Sequence, residues 1–182
     1  MKFRALEPQD IEVRVGGVYK SGVTFLLYKN ARVDMAILDE TVGEFNWQRD
    51  HKEVKGNLYC GIGIWDEAKS QWIWKWDCGV ESRKDADGNE KKGEASDSFK
   101  RAGTNWGIGR ELYTSPFIYL PCATNPKQNG KGYELNDPNE IKGIYVSEFE
   151  TAITDDKRVI TKIVLSQRSQ GKQYDIFIWE RR

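Results

Sequence analysis

Alternation of residue types over positions 58–65 and again over 71–78 is the feature that most constrains the fold of this chain. Apolar residues stand at every second position from Leu58 to Ile64, and tryptophans stand at 72, 74 and 76. Successive side chains of a strand point to opposite faces, so a period of two predicts strands. Short polar loops separate the runs. The sequence therefore predicts an antiparallel three-stranded β-meander, with strands over 45–54, 58–65 and 71–78.

A long helix is predicted after the meander, over about 93–113. Ala95, Phe99, Ala102 and Trp106 follow one another at spacings of four, three and four, which places them on one stripe of a helix. A shorter amphipathic helix is predicted over 31–42, because apolar residues recur there at helical intervals before Gly43.

The remaining segments complete a prediction for the whole chain of 182 residues. Residues 23–28 suggest a short strand, 121–140 a loop rich in proline and glycine, and 141–182 a group of C-terminal strands. The fold class is predicted as α+β: an antiparallel three-stranded β-meander followed by a long helix (a β-β-β-α core), with a C-terminal β extension. We expect a single domain over 1–182.

Composition and charge exclude several classes of protein. Lys plus Arg and Asp plus Glu both number 28, so no overall positive field indicates a protein that coats nucleic acid through net charge alone. Seven tryptophans and eight tyrosines argue against disorder. The three cysteines are too few for a disulfide framework and lack zinc-site spacing. With no apolar run long enough for a membrane span, we expect a cytoplasmic protein without a metal or a cofactor.

Catalytic motifs are absent from the sequence. The chain has a single histidine, His51, in a polar run where a solvated surface role is the usual one. A nucleophilic pair of His51 with Cys60 would need both side chains at one site. No serine-hydrolase elbow, zinc-protease motif or P-loop is present. We therefore expect that the protein is not an enzyme.

The tryptophans at 72, 74 and 76 allow two interpretations. They could form a flat stacking surface for sugars or bases. Alternatively, they could form a sheet face buried beneath the helix stripe of Phe99 and Trp106, and this core packing is the favoured interpretation. The stacking surface gives the alternative function, an aromatic-platform carbohydrate- or peptide-binding β-module.

Two adjacent cations on the long helix are the best candidate for a binding site. Lys100 and Arg101 directly follow Phe99, so they flank the buried stripe. Cations on a rigid helix can hold a phosphate backbone without ordering a loop first.

The stretch from Ala95 to Ala102, which reads Ala-Ser-Asp-Ser-Phe-Lys-Arg-Ala, is followed by Trp106-Gly107 and Gly109. It resembles the signature helix of the Rad fifty-two family of single-strand DNA annealing proteins, including their phage relatives, the Sak-type recombinases. The order of elements agrees with that family over about 30–115. Residues 1–29 and 116–182 are not covered by the resemblance.

The resemblance implies an ATP-independent protein of DNA recombination and repair. Such proteins form homo-oligomeric rings and hold single-stranded DNA by its phosphates in a basic groove, with the bases exposed for pairing. Carried over by position, Lys100 and Arg101 are the main DNA-binding residues, and Arg32 and Lys92 are further ones. Thr104 stands where eukaryotic members often have a basic residue. The implied partners are single-stranded DNA, other copies of the chain and a single-strand-binding protein of a host or phage, in a bacterial cell.

Overall fold

The structure is a computed structural model that describes residues 2–80, 90–169 and 171–181, with the side chains of 90–92 and 169 left undescribed. The helices are α1 (Ala31–Val42) and α2 (Glu90–Trp106). Single 3-10 turns lie at Pro8–Asp10, Arg110–Thr114 and Pro138–Ile141. The strands are β1 (Glu12–Tyr19), β2 (Gly22–Tyr28), β3 (Trp47–Val54), β4 (Asn57–Asp66), β5 (Gln71–Cys78), β6 (Ile118–Pro121), β7 (Thr124–Pro126), β8 (Tyr133–Leu135), β9 (Ile144–Thr154), β10 (Lys157–Ser169) and β11 (Lys172–Glu180).

The fold class predicted from the sequence is wrong. The described residues form a mainly β structure with four antiparallel sheets and two α-helices, rather than an α+β core with a β extension. Three sheets have three strands each, in the orders β1-β2-β6, β3-β4-β5 and β11-β10-β9, and the fourth pairs β7 with β8. The predicted meander is present as β3-β4-β5, and α2 follows it, but these elements make up only one part of the structure.

Strands β1, β6, β7 and β8 were not predicted, for identifiable reasons. In β1, the register with β2 shifts between Val15 and Gly17, and such a bulge interrupts the alternation that indicates a strand. The other three have four residues or fewer, too few to show a period, and β7 and β8 lie within the predicted loop 121–140. The chain therefore has more sheet than its patterns indicate.

The chain divides into two compact units. The first consists of Met1–Leu6 and Lys29–Arg110, and the second of Glu7–Tyr28 and Glu111–Arg182. The segment that resembles the annealing family falls almost entirely in the first unit. In the second unit, buried residues of β10 such as Ile163 and Leu165 lie at the centre of the β9–β11 sheet.

Local sequence explains both boundaries of α1 and the C-terminal end of α2. Asn30 caps α1, because its side chain accepts hydrogen bonds from the backbone N–H groups of Arg32 and Val33, and α1 ends at Gly43. The predicted bounds of α1 are confirmed. α2 ends at Trp106, earlier than predicted, because the chain turns at Gly107 with a φ of +107°.

α2 packs on one face of the β3-β4-β5 sheet. Phe99 and Ala102 are 1% and 0% exposed, and they lie over a sheet face on which Ile62 is also fully buried. The indole N–H of Trp106 donates to the backbone oxygen of Ile62 at 2.9 Å. This packing determines which side chains of α2 remain available outside the core.

Candidate nucleic-acid interface

α1 and α2 are joined by a buried ion pair. Lys29 directly precedes the cap of α1, and its ammonium pairs with the carboxylate of Asp34. The Lys29 and Asp34 side chains are 5% and 0% exposed. Lys29 Nζ also donates to the backbone oxygen of Lys100, at 3.2 Å. One buried cation therefore connects the start of α1 to α2 at Lys100, next to Arg101.

Two glycines make room for this ion pair. A Cβ placed on Gly103 would collide with a carboxylate oxygen of Asp34. Gly109 has a φ of +67°, and a Cβ there would lie 2.6 Å from the side chain of Lys29. Gly103 and Gly109 thus have a packing role that the sequence alone does not indicate.

Burial raises the pKa of Asp34 to about 6, despite opposing charges nearby. Desolvation is the largest cause, since a carboxylate without water is disfavoured. The charges of Lys29 and, more weakly, Lys100 act in the opposite direction. Lys100 is therefore close enough to α1 for its charge to influence the pKa of Asp34 in the first turn of that helix.

Arg101 lies on the opposite flank of α2, next to β5. Its Nε is 3.2 Å from Oδ1 of Asp77, and its side chain is 43% exposed. Asp77 also accepts hydrogen bonds from the side chain of Asn105, at 3.2 Å, and from the backbone N–H of Cys78, at 2.9 Å. Because the ion pair of Arg101 is exposed, it contributes little to stability, about 0–1 kcal/mol. The guanidinium can exchange this partner for another anion at small cost.

Lys100 has a half-buried side chain, and its ammonium makes no ion pair with a carboxylate of the described residues. Its backbone oxygen accepts from Lys29 and from the hydroxyl of Thr104, at 3.0 Å. Thr104, the position where the family often has a basic residue, is thus bonded to its own helix. The backbone at Lys100 is therefore fixed by hydrogen bonds. The side chains of Lys100 and Arg101 lie on different flanks of α2.

The other two predicted DNA-binding residues are placed less fully. Arg32 is exposed in the first turn of α1, on a different helix from Lys100 and Arg101. Lys92 belongs to α2 by its backbone, and its side chain lies outside the described residues. The structure therefore places Lys100 and Arg101 in one turn of α2 with their side chains on different flanks, and it does not bring the whole predicted set to one point.

Two cations that sequence reasoning did not select lie at the end of α2. Lys75 Nζ donates to the backbone oxygen of Asn105 at 2.9 Å and lies 4.4 Å from the centre of the Trp106 ring. Arg110 donates to the backbone oxygen of Thr104, at 2.9 Å. Cations are favoured at a helix C-terminus, where carbonyl groups lack partners.

Lys75 and Arg110 are close enough to influence each other. Burial, and then the charge of Arg110, lower the pKa of Lys75. Alternation along β5 places Lys75 on the same face as Asp77, and this was the available signal for the cluster. Lys75 and Arg110 therefore bring two positive charges together at the end of α2.

The tryptophans of β5 do not lie beneath α2, so the favoured interpretation as helix-covered core is wrong. Register places Lys75 opposite Ile62, and both face α2. Trp74 and Trp76 are opposite Gly63 and Gly61, on the other face of the sheet. Sequence alternation shows that the tryptophans share a face. It does not show which face the helix covers, since both faces are apolar.

The structure places His51 and Cys60 opposite each other in the β3–β4 register. Cys60 is fully buried, and burial raises its pKa to about 11. His51 is half-buried rather than solvated, and its Nε2 makes no hydrogen bond to any described residue. A thiol with a raised pKa is a poor nucleophile, since the thiolate is the reactive form. The pair is adjacent, but its chemistry does not favour catalysis.

Comparison with family models, with characterised proteins and with solved structures finds no match to this chain. Within the described part of the chain, no group of three or more histidine, cysteine, aspartate and glutamate residues could hold a metal ion. No helix in that part is long and apolar enough to cross a membrane.

Proposed function

We propose that the protein binds single-stranded DNA by its phosphates and anneals complementary strands without ATP or metal. Adjacent cations on α2 carry this proposal: Lys100 and Arg101 project from a helix that is fixed by the sheet on one side and by Lys29 on another. Because the helix backbone is already fixed, binding of a phosphate chain to these two charges costs little backbone entropy.

The environment of Arg101 supports phosphate binding. Its exposed pair with Asp77 can open at small cost, and its planar guanidinium can donate two parallel hydrogen bonds to one phosphate. Arg101 leaves its partner to bind DNA, and Asp77 remains held by Cys78 and Asn105.

The arrangement also suits annealing, which requires that bases stay available for pairing. Lys100 and Arg101 recognise the negative charge of phosphates, and this kind of contact leaves the pairing edges of the bases free. One copy offers few such contacts. Assembly of several copies into a homo-oligomeric ring would join these sites into a track and raise the affinity through multivalency.

The test compares the wild type with the Lys100→Ala/Arg101→Ala variant in annealing of two labelled complementary oligonucleotides, without nucleotide or metal. We expect the wild type to accelerate annealing and the variant to lose the acceleration. Removal of each phosphate-binding side chain should also flatten the salt dependence of single-strand binding by about 0.7 in log–log slope.

A matched control removes two other lysines, Lys127 and Lys131, which are exposed residues of the second unit. The Lys127→Ala/Lys131→Ala variant has the same net charge as the α2 variant, so it reports any general electrostatic effect. An equal decrease in both variants, or wild-type annealing and slope in the α2 variant, would show that the site assignment is wrong. If the wild type neither binds nor anneals single strands, the proposed function itself is wrong.

A further inference from the structure

The sheet face opposite α2 carries three tryptophans, which we call the tryptophan face: Trp72, Trp74 and Trp76. The rings of Trp74 and Trp76 have centroids 5.6 Å apart and planes inclined by only 25°. A Cβ on Gly63 would lie 2.9 Å from the Trp74 ring, and a Cβ on Gly61 would lie 2.5 Å from the Trp76 ring. The rings therefore lie flat on the backbone of β4, with one side of each turned away from the sheet.

Trp74 and Trp76 differ from three other tryptophans of the same unit in the hydrogen bonding of their indole N–H groups. The indole N–H groups of Trp47, Trp65 and Trp106 donate to Asp39, Glu67 and Ile62, at 2.7, 2.9 and 2.9 Å. The indole N–H groups of Trp74 and Trp76 donate to none of the described residues, and neither nitrogen is buried. Since a buried indole N–H usually has a partner, these two are open to water.

A cation lies over one ring of the tryptophan face, that of Trp76. Lys52 Nζ is 4.6 Å from the centre of the Trp76 ring, and the Lys52 side chain is 60% exposed. Its contact with Asp50, at 3.5 Å, is an exposed pair of small energy. A flat ring surface beside an exposed ammonium matches the two parts of a nucleotide, a base that stacks and a phosphate that is negative.

We propose that Trp74 and Trp76 stack one or two unpaired bases of single-stranded DNA, with Lys52 at the adjoining phosphate; this rests on the proposed function. The site is distinct from Lys100 and Arg101, because it lies on the other face of the sheet. Two rings can engage only a short segment. Most bases along the α2 track therefore remain free to pair, as annealing requires.

The test measures binding of an oligothymidylate and of an abasic oligonucleotide of the same length, which has phosphates but no bases. We expect Trp74→Leu/Trp76→Leu to bind the oligothymidylate at least about fivefold more weakly, as for removal of one stacked base, and the abasic chain as the wild type does. Trp74→Phe/Trp76→Phe keeps aromatic rings and should retain most of the affinity. The Lys100→Ala/Arg101→Ala variant should weaken binding of both probes.

A second measurement uses the wild type alone, so it does not depend on whether the leucine variant folds. Oligothymidylate should quench the tryptophan fluorescence of the wild type more strongly than the abasic chain does at equal saturation. Equal quenching by both probes would overturn the proposal, and so would equally weakened binding of both probes in a folded leucine variant.

The remaining outcomes separate this proposal from the proposed function. If the leucine variant binds oligothymidylate as the wild type does while the α2 variant is weakened, only the base-stacking site is wrong. If the wild type binds neither probe, both proposals fail. Quenching by a soluble glucan and not by oligothymidylate would assign the tryptophan face to carbohydrate instead.

Discussion

Lys29 and Asp34 form an ion pair that is almost entirely removed from water, with side chains 5% and 0% exposed. The same ammonium donates to the backbone of Lys100, so the pair connects α1 to the part of α2 that carries Lys100 and Arg101. Buried pairs of this kind stabilise little in net terms, but removing one partner is costly, because a charge is left without compensation. The geometry of the proposed site depends on this connection.

Replacing Gly103 with alanine should destabilise the protein by about 1–3 kcal/mol, as overpacking usually does. The new methyl group would collide with the Asp34 carboxylate. Chemical denaturation of the Gly103→Ala protein measures the decrease in stability. In the Asp34→Ala background the carboxylate is gone, and the same substitution should cost clearly less. Additive effects in this double-mutant cycle would show that the two residues do not compete for space.

Asp34 should make stability depend on pH in a defined window. Its pKa is raised in the folded state, from 3.8 to about 6, so the folded protein binds the proton more tightly than the unfolded chain. The contribution of Asp34 is therefore fully present below about pH 4 and declines as the pH rises to about 6, by at most about 3 kcal/mol.

The Asp34→Asn protein isolates this effect, because every other group titrates in both proteins. The free energy of unfolding of the wild type minus that of Asp34→Asn should fall between pH 4 and 6 and level off above. Urea denaturation at several pH values measures the difference. A difference that rises over this interval would mean that Lys29 lowers the pKa of Asp34 more than burial raises it.

Asp77→Asn should tighten binding of single-stranded DNA, by up to about fivefold at low salt. The substitution removes the carboxylate that pairs with Arg101 and keeps an oxygen for the hydrogen bond from Asn105. Titration of a labelled oligonucleotide at two salt concentrations measures the change. Asp156→Asn, at an exposed turn position, changes the net charge equally and should have a smaller effect. Equal gains in the two variants would indicate a general charge effect.

Cys60 should be nearly inert toward alkylation in the folded protein. Its pKa of about 11, against an ordinary 9.0, lowers the thiolate fraction at pH 8 about a hundredfold, and the side chain is fully buried. Timed labelling with iodoacetamide, followed by mass spectrometry of the peptides, should show Cys60 reacting long after Cys78. In denaturant the two should react at similar rates. Fast labelling of native Cys60 would restore the possibility of a reactive pair with His51.

The sequence predicted the local patterns well. Alternation located the β3-β4-β5 meander, helical spacing identified α1 and the buried stripe of Phe99 and Ala102, and both follow from the geometry of strands and helices. Besides the fold class and four short or bulged strands, the choice between the two faces of this meander was wrong. Gly61 and Gly63 were the unused signal, since residues without side chains allow neighbouring rings to lie flat on a strand.

The site was predictable only in part, for a related reason. Lys100 and Arg101 could be placed on a helix by their position after Phe99. Lys29 and Asp34 could not be recognised, because a buried charged pair has the same sequence appearance as an exposed one. Which face of α1 meets α2 is a tertiary fact, and the role of Gly103 depends on it.

The interleaving of the two units has a consequence for the order of assembly during synthesis. β2 pairs with β6, Val23 opposite Leu120, and the whole segment Lys29–Arg110 is translated between them. The β1–β2 hairpin therefore emerges from the ribosome long before its third strand exists. Meanwhile the meander and both helices can already close on the leading residues Phe3 and Leu6, which are buried in the finished protein. The unit that contains α2 is thus the first that a growing chain is able to complete.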